Sequence, residues 1–201
     1  MRIKGIDISH HNALLVGKEL LDQQDFVIMK ATEGVTYTDP CLSRYYNMLH
    51  GSTEGRPDKE KCYGFYHYAR PEKYLPTAEA EHFLHKVGHH AGEAMFILDW
   101  EQQALTQPAE KARAWMDYVY AKTGVKPLLY VQASELKKMK IVQEGGYGLW
   151  VAQWHSLLIP PTKKPWSVWA LWQYKVDRTL NLDLDVFNGS KEQFKKYCRR
   201  Q

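Results

Sequence analysis

Asp99 and Glu101 stand two positions apart at the end of a run of four apolar residues (95–98). If that run is a buried strand, alternation places both carboxylates on one side, with their Cα atoms roughly 6 to 7 Å apart. Two carboxyl groups so placed can flank one scissile bond, which is what hydrolysis of a glycosidic link needs. Asp99-Trp100-Glu101 also suits a solvated loop start or the N-cap of a following helix. The tripeptide alone leaves both readings open, and other strand ends must converge on it for chemistry to follow.

Such a pair needs a scaffold. Apolar or β-rich runs recur at 3–8, 26–30, 62–68, 95–100, 128–131, 149–152, 168–174 and 182–187. Helical pattern lies between most of the early ones. Asp39-Pro40 reads as an N-cap with proline at the first helical position, opening a helix that ends before Gly51. Thr77 is expected to cap a helix reaching about Lys86, with Glu79 and Glu81 favourable for its dipole. The plainest helix runs from Pro108 to Gly124, and a short one is expected over 135–141. Strands alternating with helices predict parallel βαβ units. Eight of them predict an α/β fold, an irregular TIM-like (β/α) barrel whose last two or three strands lack intervening helices. Polar or proline-rich connections fall at 51–61 and 155–165.

In barrels of this class the active site sits at the C-terminal ends of the strands. Here those ends carry Asp7 and Ser9, Lys30, His67 and Tyr68, Asp99 and Glu101, Tyr130, Gln153 and Trp154, Gln173 and Tyr174, then Asp183 and Asp185.

Composition narrows the function classes. With 201 residues the chain is long enough for one sizeable core, and nothing in its composition suggests two domains. Seven Trp and thirteen Tyr are many, and aromatic rings suit the flat C–H faces of sugars as well as a core. A net charge of +4 is spread along the chain, densest at Lys195-Lys196 and Arg199-Arg200, with no aromatic-interleaved basic motif for nucleic acid. Cys41, Cys62 and Cys198 have neither disulfide-framework nor zinc spacing, so reduced thiols are expected. Asp7 arrives before any apolar leader can form, and no segment approaches the ~20 apolar residues of a membrane span. A protein made in the cytoplasm without stable membrane insertion is expected. A secreted enzyme with a trimmed leader would read the same.

The strand-end residues and their surroundings resemble the catalytic domain of glycoside hydrolase family 25, the Chalaropsis-type lysozymes. The matching pieces are Asp7-Ile8-Ser9, Lys30-Ala31-Thr32-Glu33-Gly34 with Tyr37-Thr38-Asp39-Pro40, Gly64-Phe65-Tyr66-His67-Tyr68-Ala69-Arg70, Leu98-Asp99-Trp100-Glu101, Leu149-Trp150-Val151-Ala152, Trp172-Gln173-Tyr174 and Asp183-Leu184-Asp185-Val186-Phe187. They come in the family's order and span 5–189. The resemblance implies one catalytic domain over 1–201, without metal or other cofactor. It would cut the β-1,4 bond between N-acetylmuramic acid and N-acetylglucosamine in peptidoglycan. Position by position, Glu101 matches the general acid and Asp99 the partner that orients or stabilises the substrate's N-acetyl group. Asp7 and Asp183 match two further pocket acids, and Asp185 is given a supporting role at most. One departure is His10-His11-Asn12-Ala13, where the family usually continues toward a Gln-Gly pair.

A general acid must hold its proton near neutral pH, and burial beside Trp100 or other aromatics would raise Glu101 for that task. Its neighbours are expected to stay ionised, facing an oxocarbenium-like transition state. The preferred mechanism has the substrate's acetamido oxygen attack its own anomeric carbon with help from Asp99. Direct attack or water activation by Asp99 or Asp7 remains open. Lys30 and Glu33 are expected to pair and hold the pocket, with Lys30 within reach of Asp7 or a substrate oxygen. Tyr37, Tyr66, Tyr68, Tyr130 and Trp154 are candidates for sugar contact. His67 is expected to be a hydrogen-bonded buried residue, and His10-His11 and His89-His90 surface residues. The expected partner is the peptidoglycan glycan strand, met by a monomer acting on the wall after release of the phage-lysin kind. Rival readings are a wall-glycan-binding module that has lost turnover and a hydrolase of another glycan such as chitin.

Overall fold

The computed structural model describes residues 2–51, 61–155 and 161–201. Parts of the two expected connections, 52–60 and 156–160, lie outside the described residues.

The apolar runs become strands because their residues are shielded on both faces, as parallel strands require. In chain order they are β1 (Ile3–Ile8), β2 (Phe26–Glu33), β3 (Tyr37–Thr38), β4 (Cys62–Tyr68), β5 (Met95–Asp99), β6 (Leu128–Gln132), β7 (Gly148–Ala152), β8 (Leu171–Asp177) and β9 (Leu182–Phe187). Eight of them form a ring in the order β1-β2-β4-β5-β6-β7-β8-β9, closed where β9 returns to β1. Only β9 runs against its ring neighbours; β3 is a short antiparallel extension of β2. The eight expected strands are the eight barrel strands.

Helices α1 (Lys18–Asp22), α2 (Leu42–Gly51), α3 (Pro76–Val87), α4 (Ala109–Thr123) and α5 (Lys140–Glu144) follow the early strands, and α6 (Lys191–Cys198) follows β9. Among the described residues no helix lies between β7 and β8 or between β8 and β9, as the irregular barrel requires. Gly124 ends α4 at φ +71°, a left-handed cap that glycine adopts without penalty. Three helix expectations need correction. Helix α2 starts at Leu42 and runs through Gly51, because Asp39 Oδ1 accepts from Cys41 N (2.9 Å) in a turn that holds Pro40 ahead of the helix. Helix α3 starts at Pro76, with Leu75 as N-cap, because proline's fixed φ suits the first helical position and pulls Thr77 inside. The stretch expected as a helix over 135–141 is a 3₁₀ segment, Ala133–Met139, followed by α5.

Two cores result. One lies between the barrel and its helices and includes Trp100, Trp115, Phe83 and Trp172. The other fills the barrel interior with Phe26, Ile28, Ile97, Leu128, Trp150, Leu171 and Phe187, and is plugged at the end opposite the strand C-termini by Phe194 and Cys198 of α6. A Cβ on Gly5 would lie 2.3 Å from the Phe26 carbonyl oxygen and 2.6 Å from its ring, so glycine there lets β1 and β2 close.

Candidate active site

The inner face of each strand can be read by alternation from the plugged end to the open end. On β1 it carries Ile3, Gly5 and Asp7; on β5, Met95, Ile97 and Asp99; on β9, Phe187, Asp185 and Asp183. Apolar side chains fill the lower layers and acids the uppermost. Asp7 and Asp183 are directly paired across β1 and β9. Beyond Asp99 the chain stays extended through Glu101 (φ −143°, ψ 178°), so the alternation persists past the strand's end and brings Glu101 to the same mouth.

One cavity of about 260 Å³ is lined by Asp7, Asp99, Glu101 and Asp183 together with Tyr66, Tyr130, Trp154, Trp150, Gln173 and Val176. A groove of about 390 Å³ adjoins it and shares Glu101, Tyr130 and Trp154, continuing past Gln132, Ser134 and Gln153. Glu101 therefore stands at the junction of two compartments. A larger hollow of about 470 Å³, lined by Cys62, Tyr63 and Phe194 among others, lies at the plugged end, away from the acids.

Polar contacts set the side chains. Gln173 donates from Nε2 to Asp7 Oδ2 (2.9 Å), and its Oε1 accepts from Tyr130 Oη (3.0 Å) and Trp154 Nε1 (3.1 Å). Trp150 Nε1 donates to Asp185 Oδ1 (3.0 Å). Asp99 Oδ1 is buried and meets no donor.

Lys30 Nζ sits 2.7 Å from Glu33 Oε2 and 4.7 Å from the centre of the Tyr68 ring. Arg70 covers that ring at the same distance and binds Glu33 Oε1 through Nη2 (2.6 Å) and Nε (2.8 Å). Residues three apart in a strand normally face opposite ways. A bulge between Lys30 and Thr32 adds one residue, so Lys30 pairs with Tyr66 and Glu33 with Tyr68 on the inner face.

Of the candidate site residues, Asp7, Asp99, Glu101, Asp183, Tyr66, Tyr130 and Trp154 line the cavity, whereas Lys30, Glu33, Tyr37 and Tyr68 do not. Tyr37 is 36% exposed on the rim, its hydroxyl 3.0 Å from His10 Nδ1. Trp100 does not flank Glu101: as the odd residue in the alternation it packs in the outer core. His67 is fully buried between Thr32 Oγ1 (2.8 Å) and Glu79 Oε2 (2.9 Å). His90 is a buried residue packed on Tyr46 and Phe65 rather than a surface one. Gln173, expected at the end of its strand, lines the cavity too, whereas Trp150 and Val176 were not expected there. Alternation along β7 points to Trp150. Val176 is out of phase with Gln173 and faces the cavity because β8 bulges between Gln173 and Lys175.

Electrostatically the acids oppose one another. Burial, then the Asp183 charge, pushes Asp7 up to about 7. Asp99 is driven well above the carboxylate range by burial and by Glu101. Glu101 is raised by burial, against the Lys30 charge that pulls it down, and Asp183 is raised by burial. Burial thus works against the expectation that Glu101's neighbours all stay ionised. Gathering four acids in one poorly solvated mouth favours their protonated forms.

The sequence model "Glycosyl hydrolases family 25" matches residues 6–181. The chain belongs to that family. It is a glycosidase, built on the barrel its relatives share. The N,O-diacetylmuramidase of Chalaropsis sp is 33% identical over 121 residues, covering 54% of this chain and 56% of that protein. The family 25 lysozyme of Aspergillus fumigatus superposes with a TM-score of 0.79 at 26% identity, covering 99% of the family 25 chain described here and all of the fungal one. The CTP1L endolysin superposes with a TM-score of 0.70 at 25% identity, covering 97% of this chain and 69% of its own.

Proposed function

We propose that this chain is a lysozyme that hydrolyses the β-1,4 bond between N-acetylmuramic acid and N-acetylglucosamine in peptidoglycan, with Glu101 as general acid. The observation that carries the reading is the position of Glu101 where the acid-lined cavity meets the adjoining groove. A glycan passing from one compartment to the other puts a glycosidic oxygen beside this carboxyl. Asp99, walled into the cavity alone, faces the sugar whose anomeric carbon reacts.

The acetamido oxygen of that sugar attacks its own anomeric carbon as the glycosidic bond breaks, and Glu101 gives its proton to the leaving oxygen. Asp99 Oδ1, buried without a donor, is an acceptor matched to the acetamido N–H. That bond, with Lys30 nearby, favours the Asp99 anion once substrate is bound. Asp7 and Asp183 supply negative charge beneath the developing cation. Glu101, deprotonated by the first step, then takes a proton from the water that opens the oxazolinium intermediate.

Tyr66, Tyr130 and the 63% exposed Trp154 offer ring faces to the sugars. Among the described residues no helix is long and apolar enough to cross a membrane. The likeness to an endolysin supports action on the cell wall. We read the chain as one catalytic domain acting as a monomer.

Digestion of defined peptidoglycan tests the reading. New reducing ends on N-acetylmuramic acid, with mass spectra showing disaccharide-peptide fragments, are expected. Glu101→Gln is expected to fold normally and lose roughly a thousandfold in turnover. Wall binding without cleavage, cleavage confined to chitin, or near-normal turnover by Glu101→Gln would overturn the assignment.

A further inference from the structure

Below the mouth lies an acid that the mechanism does not use. Asp185 is wholly buried on β9, opposite Gly5 and one inward-facing position beneath Asp183. One of its oxygens accepts from Trp150 Nε1, and the other meets no N–H or hydroxyl donor. The neighbouring acid is Asp7, the next inward-facing residue after Gly5 on β1, and its carboxyl faces Asp185. Two ionised carboxylates have only acceptors and cannot bond to each other, so contact requires a proton on one of them. Asp7 receives the Gln173 amide and opens onto the cavity, both of which favour its anion. Asp185 has a single donor and no solvent.

We propose that Asp185 is a positioning residue that holds a proton at neutral pH and donates it in a hydrogen bond to Asp7. The pair then presents one negative charge, aimed at the cavity, instead of two. Asp7 is fixed from both sides, by Gln173 on one oxygen and by Asp185 from below. The other titratable groups facing the pair are Asp183 on β9, Tyr174 on β8 and, on the Asp7 side, Tyr66, Asp99, Tyr130 and Glu101. The three tyrosines are shifted upward, chiefly by burial, and stay neutral. Burial and the neighbouring Asp7 hold Asp185 well above the carboxylate range, in accord with the geometry.

The role of the pair in turnover rests on the lysozyme reading, but the shared proton does not, and two kinds of measurement separate them. The infrared band of a protonated carboxyl is expected at pH 7 in the wild-type spectrum and is expected to lose one carboxyl's intensity in Asp185→Asn. An unchanged band overturns the proposal whether or not the protein cleaves glycan.

In glycan cleavage, Asp185→Asn keeps an N–H for Asp7 and an oxygen for Trp150 without changing charge. It is expected to retain kcat within about threefold and the acidic limb of its pH profile within about half a unit. Asp185→Leu removes the donor. It is expected to lower kcat roughly 10- to 100-fold, the worth of one hydrogen bond to a charged group, with KM little changed and the acidic limb moved upward. A fall of a unit or more in the acidic limb of Asp185→Asn would mean that the wild-type residue is charged, and wild-type kcat in a folded Asp185→Leu would mean that it positions nothing. A wild-type protein that cleaves no glycan would sink the lysozyme reading alone.

Discussion

At the scale of single residues, the division of labour between Asp99 and Glu101 follows from depth. Both are carboxyls at one strand's end, yet Asp99 is 7% exposed whereas Glu101 reaches into two compartments. The Lys30 charge pulls both downward, ahead of Arg70 at Glu101. Lys30→Met is therefore expected to move the alkaline limb of kcat/KM upward by about a unit, because the general acid keeps its proton longer. A profile unchanged in that limb would show that another group sets it. The pairing of Asp99 with Glu101 was legible in sequence because alternation depends only on backbone geometry. Their relative burial was not, since it depends on Tyr130 and Trp154 arriving from strands far along the chain.

At the scale of elements, the sequence revealed strands well and irregularities poorly. Continuous apolar runs mark buried parallel strands whatever surrounds them, which is why all eight barrel strands could be read. The bulges in β2 and β8 leave no compositional mark, yet one brings Glu33 beside Lys30 and the other turns Val176 into the cavity. Helix α6 was missed although Ser190 and Gln193 form a capping box, because eight residues rich in lysine look like a solvated tail. Its Phe194 is fully buried, 5.4 Å from the Phe26 ring and 5.2 Å from that of Phe187. Phe194→Ala is expected to cost about 3–5 kcal/mol in urea unfolding, as loss of a buried aromatic does. The variant should still cleave glycan at the wild-type rate per folded molecule, since the acids lie at the other end. A stability loss below about 1 kcal/mol would mean that the plug contributes little.

For the molecule as a whole, the acid cluster trades stability for charge. A carboxyl raised in the folded state favours folding below its unfolded value, near 4, and loses that advantage as pH climbs through the folded value, about 7 for Asp7. The melting temperature is expected to fall between pH 5 and pH 8. Asp99→Asn, which removes the most deeply placed of the mouth acids, should raise it by roughly 3 °C or more at pH 8 and by little at pH 4, while abolishing most turnover. Equal shifts at both pH values, read by calorimetry, would show that the effect is not one of ionisation. The closure that gathers these acids joins the first and last strands of the barrel. Asp7 lies on β1 and Asp183 on β9, and the two become neighbours only when β9 slots in against β1. A chain cut anywhere before β9 lacks Asp183 and leaves the edge of β1 beside Asp7 unpaired, so the mouth needs both ends of the barrel sequence.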